Sequence, residues 1–361
     1  MTIKGIKKEE KMHEPFFSFL LITYNQEKFI EEAFASLVKQ SFLDYEIVIC
    51  DDCSSDSTFE RCVKLVEEYR RDGGLLPITL HRNERNMGIG GNFQQAAQLS
   101  HGIWLVMAAG DDISLPTRLE TLSYAIHLHP NAYGINTARY FVDEKADNPI
   151  YNFQKDYLLG ADSAWHRSLF ADFIPLDRRV MSEDHILNLR AMLKGEMLQV
   201  NTPTILYRVS SQNYSMQKST GLLESKKTAL RKMEYHRSLL EFRLNDLNFW
   251  AASHDEPLLP MIVKKTQEEL REVEMKIASY DLYVRTMQAN FSQRMMYLFR
   301  PTKVWLHNSI ISRLYNLAKM YGLLGIKPRR PEKCLPVEKG PDNRTETITL
   351  SDFVDVNRDL F

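Results

Sequence analysis

From Pro15 to about Pro130 the chain alternates short apolar runs with amphipathic segments, and no other feature restricts its fold as tightly. The runs are FFSFLLITY (16–24), YEIVIC (45–50), PITLH (77–81) and IWLVMA (103–108). Between them lie EKFIEEAFASLVKQS, DSTFERCVKLVEEYRR and NFQQAAQLSH, each with apolar residues three or four apart. Near-continuous apolar strands separated by helices of this length predict βαβ units and a parallel sheet covered on both faces. Such crossovers are right-handed almost without exception, so the expected fold is an open, doubly wound, Rossmann-like α/β sheet. Ligands bind these sheets at the carboxyl ends of the strands. Each run here passes directly into a polar cluster: Thr23-Tyr24-Asn25, Asp51-Asp52, His81-Arg82-Asn83 and Gly110-Asp111-Asp112. Four strand ends are therefore expected to converge on one crevice.

A chain of 361 residues suggests two or three domains. Residues 15–216 are expected to form the main domain, with one half over 15–130 and another over 131–216. From 222 to 289 the pattern becomes heptad-like. Leu223, Leu230, Met233, Leu240, Leu244 and Leu247 are followed by a cleaner set of Val263, Thr266, Leu270, Val273, Ile277, Tyr280, Val284 and Met287. This spacing reads as a helical hairpin, as an intermolecular coiled coil that would make a homo-oligomer, or as a stripe packed back on the main domain. Residues 291–333 interleave basic residues with aromatic and aliphatic ones. That pattern suits peripheral contact with an anionic membrane, or merely a solvated cationic face. Residues 217–333 are thus expected to be helical, and 334–361 a flexible tail.

Charge is balanced, 46 Lys+Arg against 47 Asp+Glu, which argues against a dedicated nucleic-acid binder. Four cysteines are too few for a disulfide framework. Cys50 and Cys53 form a Cys-x-x-Cys, but Cys50 closes a buried strand rather than opening a helix, and no second ligand pair is obvious. The first residues do not read as a signal peptide, and the longest apolar run, Ile103 to Ala109, is a strand's length. The expected compartment is the cytoplasm, with possible placement at the inner face of the plasma membrane.

The segment 17–60, with a strand ending in Thr-Tyr-Asn, a helix, and a strand ending in Asp-Asp-Cys-Ser, resembles the family-2 glycosyltransferases of the GT-A fold. NMGIGGNFQQAAQLSHGIWLVMAAGDDISLPTRLE (86–120) is similar to that family's Asn-x-Gly loop, helix, strand and acidic metal-binding turn. VMSEDHILNLRAMLKG (180–195) is similar to its Glu-Asp helix, and ILYRVSSQNYS (205–215) to its Tyr-Arg strand. The resemblance implies an inverting enzyme that moves a sugar from a UDP-sugar donor to a hydroxyl of a glycan or lipid-linked acceptor. The bacterial surface polysaccharides (O-antigen, capsule or exopolysaccharide) are the implied product class, and a divalent metal, Mn²⁺ or Mg²⁺, the implied cofactor.

The residue types suit that chemistry. A nucleotide-sugar presents a base, a ribose and a diphosphate, and Tyr24 can lie against the base. Asp52 takes the family's uracil-binding position, the alternative being a cap on the following helix. Thr23, Asn25, Asn86 and Gly88 fall in the motifs that surround the donor. At the acidic turn Ala109 stands where the family pattern has its first carboxylate. Asp111 aligns with the metal ligand, and Asp112 can order the turn or a water. One or two protein carboxylates suffice when substrate phosphates complete the coordination. Arg208 could reach the diphosphate, and Ser210 stands where many relatives have a His. Asp184 takes the position of the catalytic base, with His185 a rival. Glu183 either orients a neighbour or binds an acceptor hydroxyl. Trp165 could stack on an acceptor sugar or belong to the core. The alternative function is a catalytically degenerate nucleotide-binding or oligomerisation module, motivated by Ala109 and Ser210. A nucleotidyltransferase would need a Gly-rich loop that TYNQEKFIEE lacks.

Overall fold

A computed structural model describes residues 14–153, 160–209, 222–288 and 345–350. The chain divides into two compact units, one of Met1–Val209 with Gly340–Phe361 and one of Ser210–Lys339.

In the first unit the four apolar runs become β1 (Phe17–Thr23), β2 (Tyr45–Asp51), β3 (Ile78–Arg82) and β4 (Trp104–Ala109). They are joined by α1 (Ile30–Leu37), α2 (Thr58–Arg71) and α3 (Gly88–Leu99). β1 pairs in parallel with β2 on one side and with β4 on the other, and β2 pairs with β3. The order 3-2-1-4 reverses at β1, so the crevice between the carboxyl ends of β1 and β4 is the switch point at which such sheets bind ligands. Every residue of β1 and β2 is buried, as expected for strands covered on both faces. Phe17, Phe19, Leu21, Ile47 and Ile49 form one core with Phe34 and Leu37 of α1 and Val66 of α2. Each apolar side chain so buried contributes about 1.5–3 kcal/mol. The three- and four-residue spacing of Ile30, Ala33, Phe34 and Leu37 sets the inward face of α1.

The chain continues with β5 (Ile113–Ser114), α4 (Arg118–Leu128), β6 (Ala132–Val142) and β7 (Ile150–Asn152). A 3-10 turn at Gly160–Asp162 then leads to β8 (Ser163–His166), α5 (Ser168–Ala171), α6 (Glu183–Lys194) and β9 (Glu196–Arg208). β8 lies antiparallel between β4 and β6, and β9 runs parallel to β6. The expectation of a flexible tail over 334–361 needs correction. Thr345–Ile348 forms β10, antiparallel to β9, and Leu350 is buried. Thr-Glu-Thr-Ile alternates β-branched residues with others, and the outer edge of β9 offers it a backbone partner. The sheet order is β10-β9-β6-β8-β4-β1-β2-β3.

The second unit contains α7 (Leu222–Ala251) and α8 (Leu259–Gln288). They form a helical hairpin bridged by Arg243 Nη1 and Glu269 Oε2 at 3.4 Å. Leu240 and Leu247 on α7, and Ile262, Thr266 and Val273 on α8, are buried at heptad-like spacing. α7 also buries Phe242, Arg243, Asp246 and Trp250, so it covers more than the single stripe its sequence shows. The basic segment 291–333 lies outside the described residues. No described helix is long and apolar enough to cross a membrane.

Candidate functional site

The loops after β1 and β2 are stitched together by side chains. Asn25, at φ 53°, donates its N–H to Ser54 Oγ at 2.9 Å, and its Oδ1 accepts the Ser55 N–H at 2.8 Å. Asn25 therefore serves the loop pair. Tyr24 stands beside it, 47% exposed at the mouth of the crevice. Cys53 adopts φ 61°, in the left-handed region that favours glycine.

Asp51 and Asp52 are both buried. Asp51 accepts the Ser54 N–H at 2.9 Å and the Ser54 hydroxyl at 2.5 Å. Asp52 Oδ1 accepts Asn83 Nδ2 at 2.9 Å and the Met87 N–H at 2.7 Å, and Oδ2 accepts the Gly88 N–H at 2.9 Å. Asp52 does cap a helix, but the helix is α3, one crossover later than the one sequence reasoning considered. A carboxylate has about four acceptor sites, so one remains for a ligand N–H. Asn86 Oδ1 accepts the same Gly88 N–H at 3.1 Å. Behind this layer Asn83 Nδ2 donates to Asn92 Oδ1, and Asn92 Nδ2 to the Cys50 carbonyl, both at 2.9 Å.

The acidic turn after β4 divides its two carboxylates. Asp112 Oδ1 accepts the Arg208 N–H at 2.9 Å, which ties the end of β9 to the turn. Burial and then the Asp111 charge raise the Asp112 pKa well above the carboxylate range. Asp111 is half-buried, and burial raises its pKa against a backbone hydrogen bond, the Arg208 guanidinium and the Gln26 side chain. Arg208 lies 4.6 Å over the Phe29 ring and pairs with Glu32 Oε2 at 2.6 Å. Its guanidinium thus has a carboxylate and an aromatic face beside it at the same strand end. Ser210 lies outside the described residues. Among the described residues no three His, Cys, Asp or Glu side chains could cage a cation. The turn offers the Asp111 carboxylate, with the buried and unpartnered oxygens Thr23 Oγ1 and Gln26 Oε1 close by. That donor set fits a divalent ion that takes most of its ligands from phosphate and water.

The third acidic group opens α6. Asp184 Oδ2 accepts the Gly160 N–H at 3.1 Å, and Oδ1 accepts the His185 N–H at 2.9 Å. Ser182 occupies the N-cap position, yet its hydroxyl makes no capping bond. A Cβ on Gly160 would collide with Glu183 Oε1, so only glycine allows the 3-10 turn to approach this closely. Burial pushes Asp184 up to about 6. Burial and the adjacent Asp184 charge push Glu183 to about 8. Burial raises both acids, and the two backbone N–H bonds to Asp184 favour that carboxylate as the ionised member of the pair.

Arg118 connects the two acidic turns. Its Nη1 donates to Ser114 Oγ at 2.9 Å and its Nη2 to the Ala161 carbonyl at 3.0 Å. The adjacent Asp162 is buried, pairs with Arg139 at 2.5 Å and accepts from Asn136 Nδ2. Burial pushes Asp162 up to about 6 even so. Trp165 is a correction: it is 0% exposed, donates Nε1–H to Asn188 at 3.1 Å, and meets Phe93 edge-on at 5.7 Å. It lies in β8 between two strands and presents no face to a sugar.

Sequence reasoning missed Gln26, Arg118, Arg139 and Asp162, and it placed Asn83 at the end of the third strand without a role. Arg139 stands inside the strand-like INTARYFV, where a charge among apolar neighbours signals a buried partner. Gln26 had no comparable signal.

The Glycosyl transferase family 2 profile matches residues 18–186. An uncharacterized glycosyltransferase of Methanocaldococcus jannaschii is 28% identical over 138 residues, 38% of this chain and 46% of the relative. The poly(ribitol-phosphate) beta-N-acetylglucosaminyltransferase TarS of Staphylococcus aureus is 26% identical over 206 residues, 53% of this chain and 35% of TarS. Escherichia coli WfgD, a UDP-Glc:alpha-D-GlcNAc-diphosphoundecaprenol beta-1,3-glucosyltransferase, is 28% identical over 30% of this chain and 40% of its own. The chain thus spans under half the length of these relatives. The crystal structure of TarS 1–349 in complex with UDP-GlcNAc aligns with TM-score 0.52 and 19% identity over 78% of each chain, a likeness of fold.

Proposed function

Because residues 18–186 are a family-2 glycosyltransferase domain of the GT-A fold, we propose that this chain transfers a sugar, with inversion, from a UDP-sugar to a hydroxyl of a glycan or lipid-linked acceptor. The observation that carries the mechanism is the environment of Asp184, a buried carboxylate that accepts two backbone N–H bonds beside a second buried acid, Glu183. The acceptor oxygen attacks the anomeric carbon from the face opposite the diphosphate. As the new C–O bond forms, the hydroxyl proton passes to Asp184 and the bond to the diphosphate breaks, with its electron pair leaving on UDP. Asp111 would hold a divalent ion, whose charge would help to neutralise that diphosphate. Tyr24 stacks on the base, and Asp52 accepts the uracil imide N–H at its remaining acceptor site. Glu183, buried beside it, orients the Asp184 carboxylate. Cell-surface polymers are the product class favoured by the named relatives, TarS and WfgD. A cytoplasmic enzyme with 291–333 at the membrane surface would meet a lipid-linked acceptor there.

Isothermal titration with UDP, with and without Mn²⁺, tests this reading on wild type and Asp111→Asn. Metal-enhanced UDP binding that is lost in the variant is expected. Absence of any UDP binding by folded protein would overturn the donor assignment. The second reading, a silent nucleotide-binding module, is motivated by Ala109 and predicts UDP binding with no UDP release from any UDP-sugar.

A further inference from the structure

The 3-10 turn Gly160–Asp162 meets α6 through the Gly160 N–H, which donates to Asp184 Oδ2 at 3.1 Å. The rest of the turn is tied down elsewhere. The Ala161 carbonyl accepts Arg118 Nη2 at 3.0 Å. The Asp162 carbonyl accepts the Thr137 hydroxyl at 3.2 Å, and that hydroxyl meets Thr204 Oγ1 of β9 at 2.5 Å. The Asp162 carboxylate accepts Asn136 Nδ2 through Oδ1 and pairs through Oδ2 with Arg139 Nε at 2.5 Å. Asn136, Thr137 and Arg139 all belong to β6, so one short stretch of that strand grips the turn. Asp162 is 0% exposed and Arg139 1%. An ion pair so deeply buried gives up the solvation of both charges, and apolar residues of similar volume often serve stability as well or better. Stability alone therefore does not account for the pair. Its place in the fold does, because the turn it anchors carries an amide bonded to Asp184.

This inference rests on the reading of Asp184 as the base. We propose that Arg139 and Asp162 are positioning residues for that base: their ion pair fixes the 3-10 turn on β6, and the turn presents the Gly160 N–H that holds the Asp184 carboxylate in one orientation. Buried as they are, the two act on the reaction only through Asp184. The electrostatics run the same way. Burial raises Asp184, and the His185 and Gly160 N–H bonds favour its ionised form. Glu183 and Asp162 are the acids that face this cluster, and Arg139 and Arg118 are the cations, both of which favour ionised Asp162. A carboxylate that must meet a hydroxyl proton as a bond forms depends on such fixed geometry, and a displacement of about 1 Å can cost up to about 100-fold in rate.

The test uses the full chain. Arg139→Met/Asp162→Asn removes both charges together, so no buried charge is stranded and Asn136 keeps an acceptor. Exchange of the Gly160 amide is followed by NMR on protein labelled with ¹⁵N-glycine. Turnover is followed as UDP release from UDP-glucose or UDP-GlcNAc, whichever wild type uses faster. The double variant is expected to exchange the Gly160 amide about tenfold faster and to lose about tenfold in kcat, with KM within about twofold of wild type. Arg139→Lys, which keeps a cation beside Asp162, is expected to retain more turnover than the double variant. Because the pair acts through Asp184, adding Arg139→Met/Asp162→Asn to Asp184→Asn is expected to cost nothing further in kcat. A merely structural role gives losses that multiply, and that result overturns the proposal. So does an unchanged Gly160 amide in the folded double variant, a loss confined to KM, or an Arg139→Lys no better than the double variant. Asp184→Asn with wild-type turnover refutes the base assignment beneath the inference. A slow Asp184→Asn beside a double variant of undiminished kcat refutes the inference alone.

Discussion

Asp52 and Asp184 are buried to similar depth, 3% and 8% exposed, yet their carboxylates have different surroundings. Asp52 accepts three hydrogen bonds from Asn83, Met87 and Gly88 and joins β2 to α3. Asp184 accepts two backbone N–H bonds beside a second buried acid, and its pKa rises to about 6. The difference teaches how one residue type serves two ends. A carboxylate matched by donors organises the strand ends, whereas one left short of donors keeps a basicity useful for taking a proton.

The largest effect that could break this comparison is expected at Asp184. Asp184→Asn should lower the turnover of a UDP-sugar by about 10²–10⁴-fold, measured as UDP release. The same variant should unfold at higher temperature at pH 7. A raised native pKa means that the ionised form opposes folding, a cost absent below the unfolded pKa and complete above the native one. Removing the charge can return up to about 3 kcal/mol, less the backbone N–H bond that an amide cannot accept. Asp52→Ala should do the reverse: it leaves the Asn83 and Met87 N–H donors unmatched, while Gly88 keeps Asn86 Oδ1 as acceptor, and should cost about 2 kcal/mol in denaturant unfolding. Enhanced stability of Asp52→Ala would remove the contrast between the two sites.

Smaller effects sharpen it. Glu183 is protonated at pH 7 on this account, so Glu183→Gln should reduce UDP release less than about tenfold. A loss as large as that of Asp184→Asn would make the two acids a single proton-sharing base. Cys53→Gly, which relieves the left-handed backbone at φ 61°, should stabilise the protein by about 1 kcal/mol without changing UDP affinity. Destabilisation would mean that the Cys53 thiol, 3.8 Å from the Glu84 carbonyl, contributes more than the backbone strain costs.

The half over 15–130 was legible because apolar period and strand-end polarity are local signals. Runs predicted over 16–24 and 103–108 became β1 at Phe17–Thr23 and β4 at Trp104–Ala109. The half over 131–216 was less so. Trp165 looks the same in sequence whether it faces a sugar or Phe93, since the decision is made by β4 and β6, which flank it. The buried Arg118 and Asp162 belong to a network whose members lie 43 and 44 residues or fewer apart in sequence and meet only in the folded sheet. Thr345–Ile348 pairs with Met197–Val200, a contact between segments so distant that only the open edge of β9 reveals it.

The central claim is that Asp184 is the ionised base and Glu183 its protonated neighbour. The most direct test is the pH dependence of UDP release from a UDP-sugar between pH 5 and 9, on wild type and on Glu183→Gln. The account predicts a rate that falls as pH drops through about 6 in both proteins, because protonated Asp184 cannot accept the acceptor's proton. A rate that rises only through about 8, and loses that dependence in Glu183→Gln, would make Glu183 the base and contradict the account.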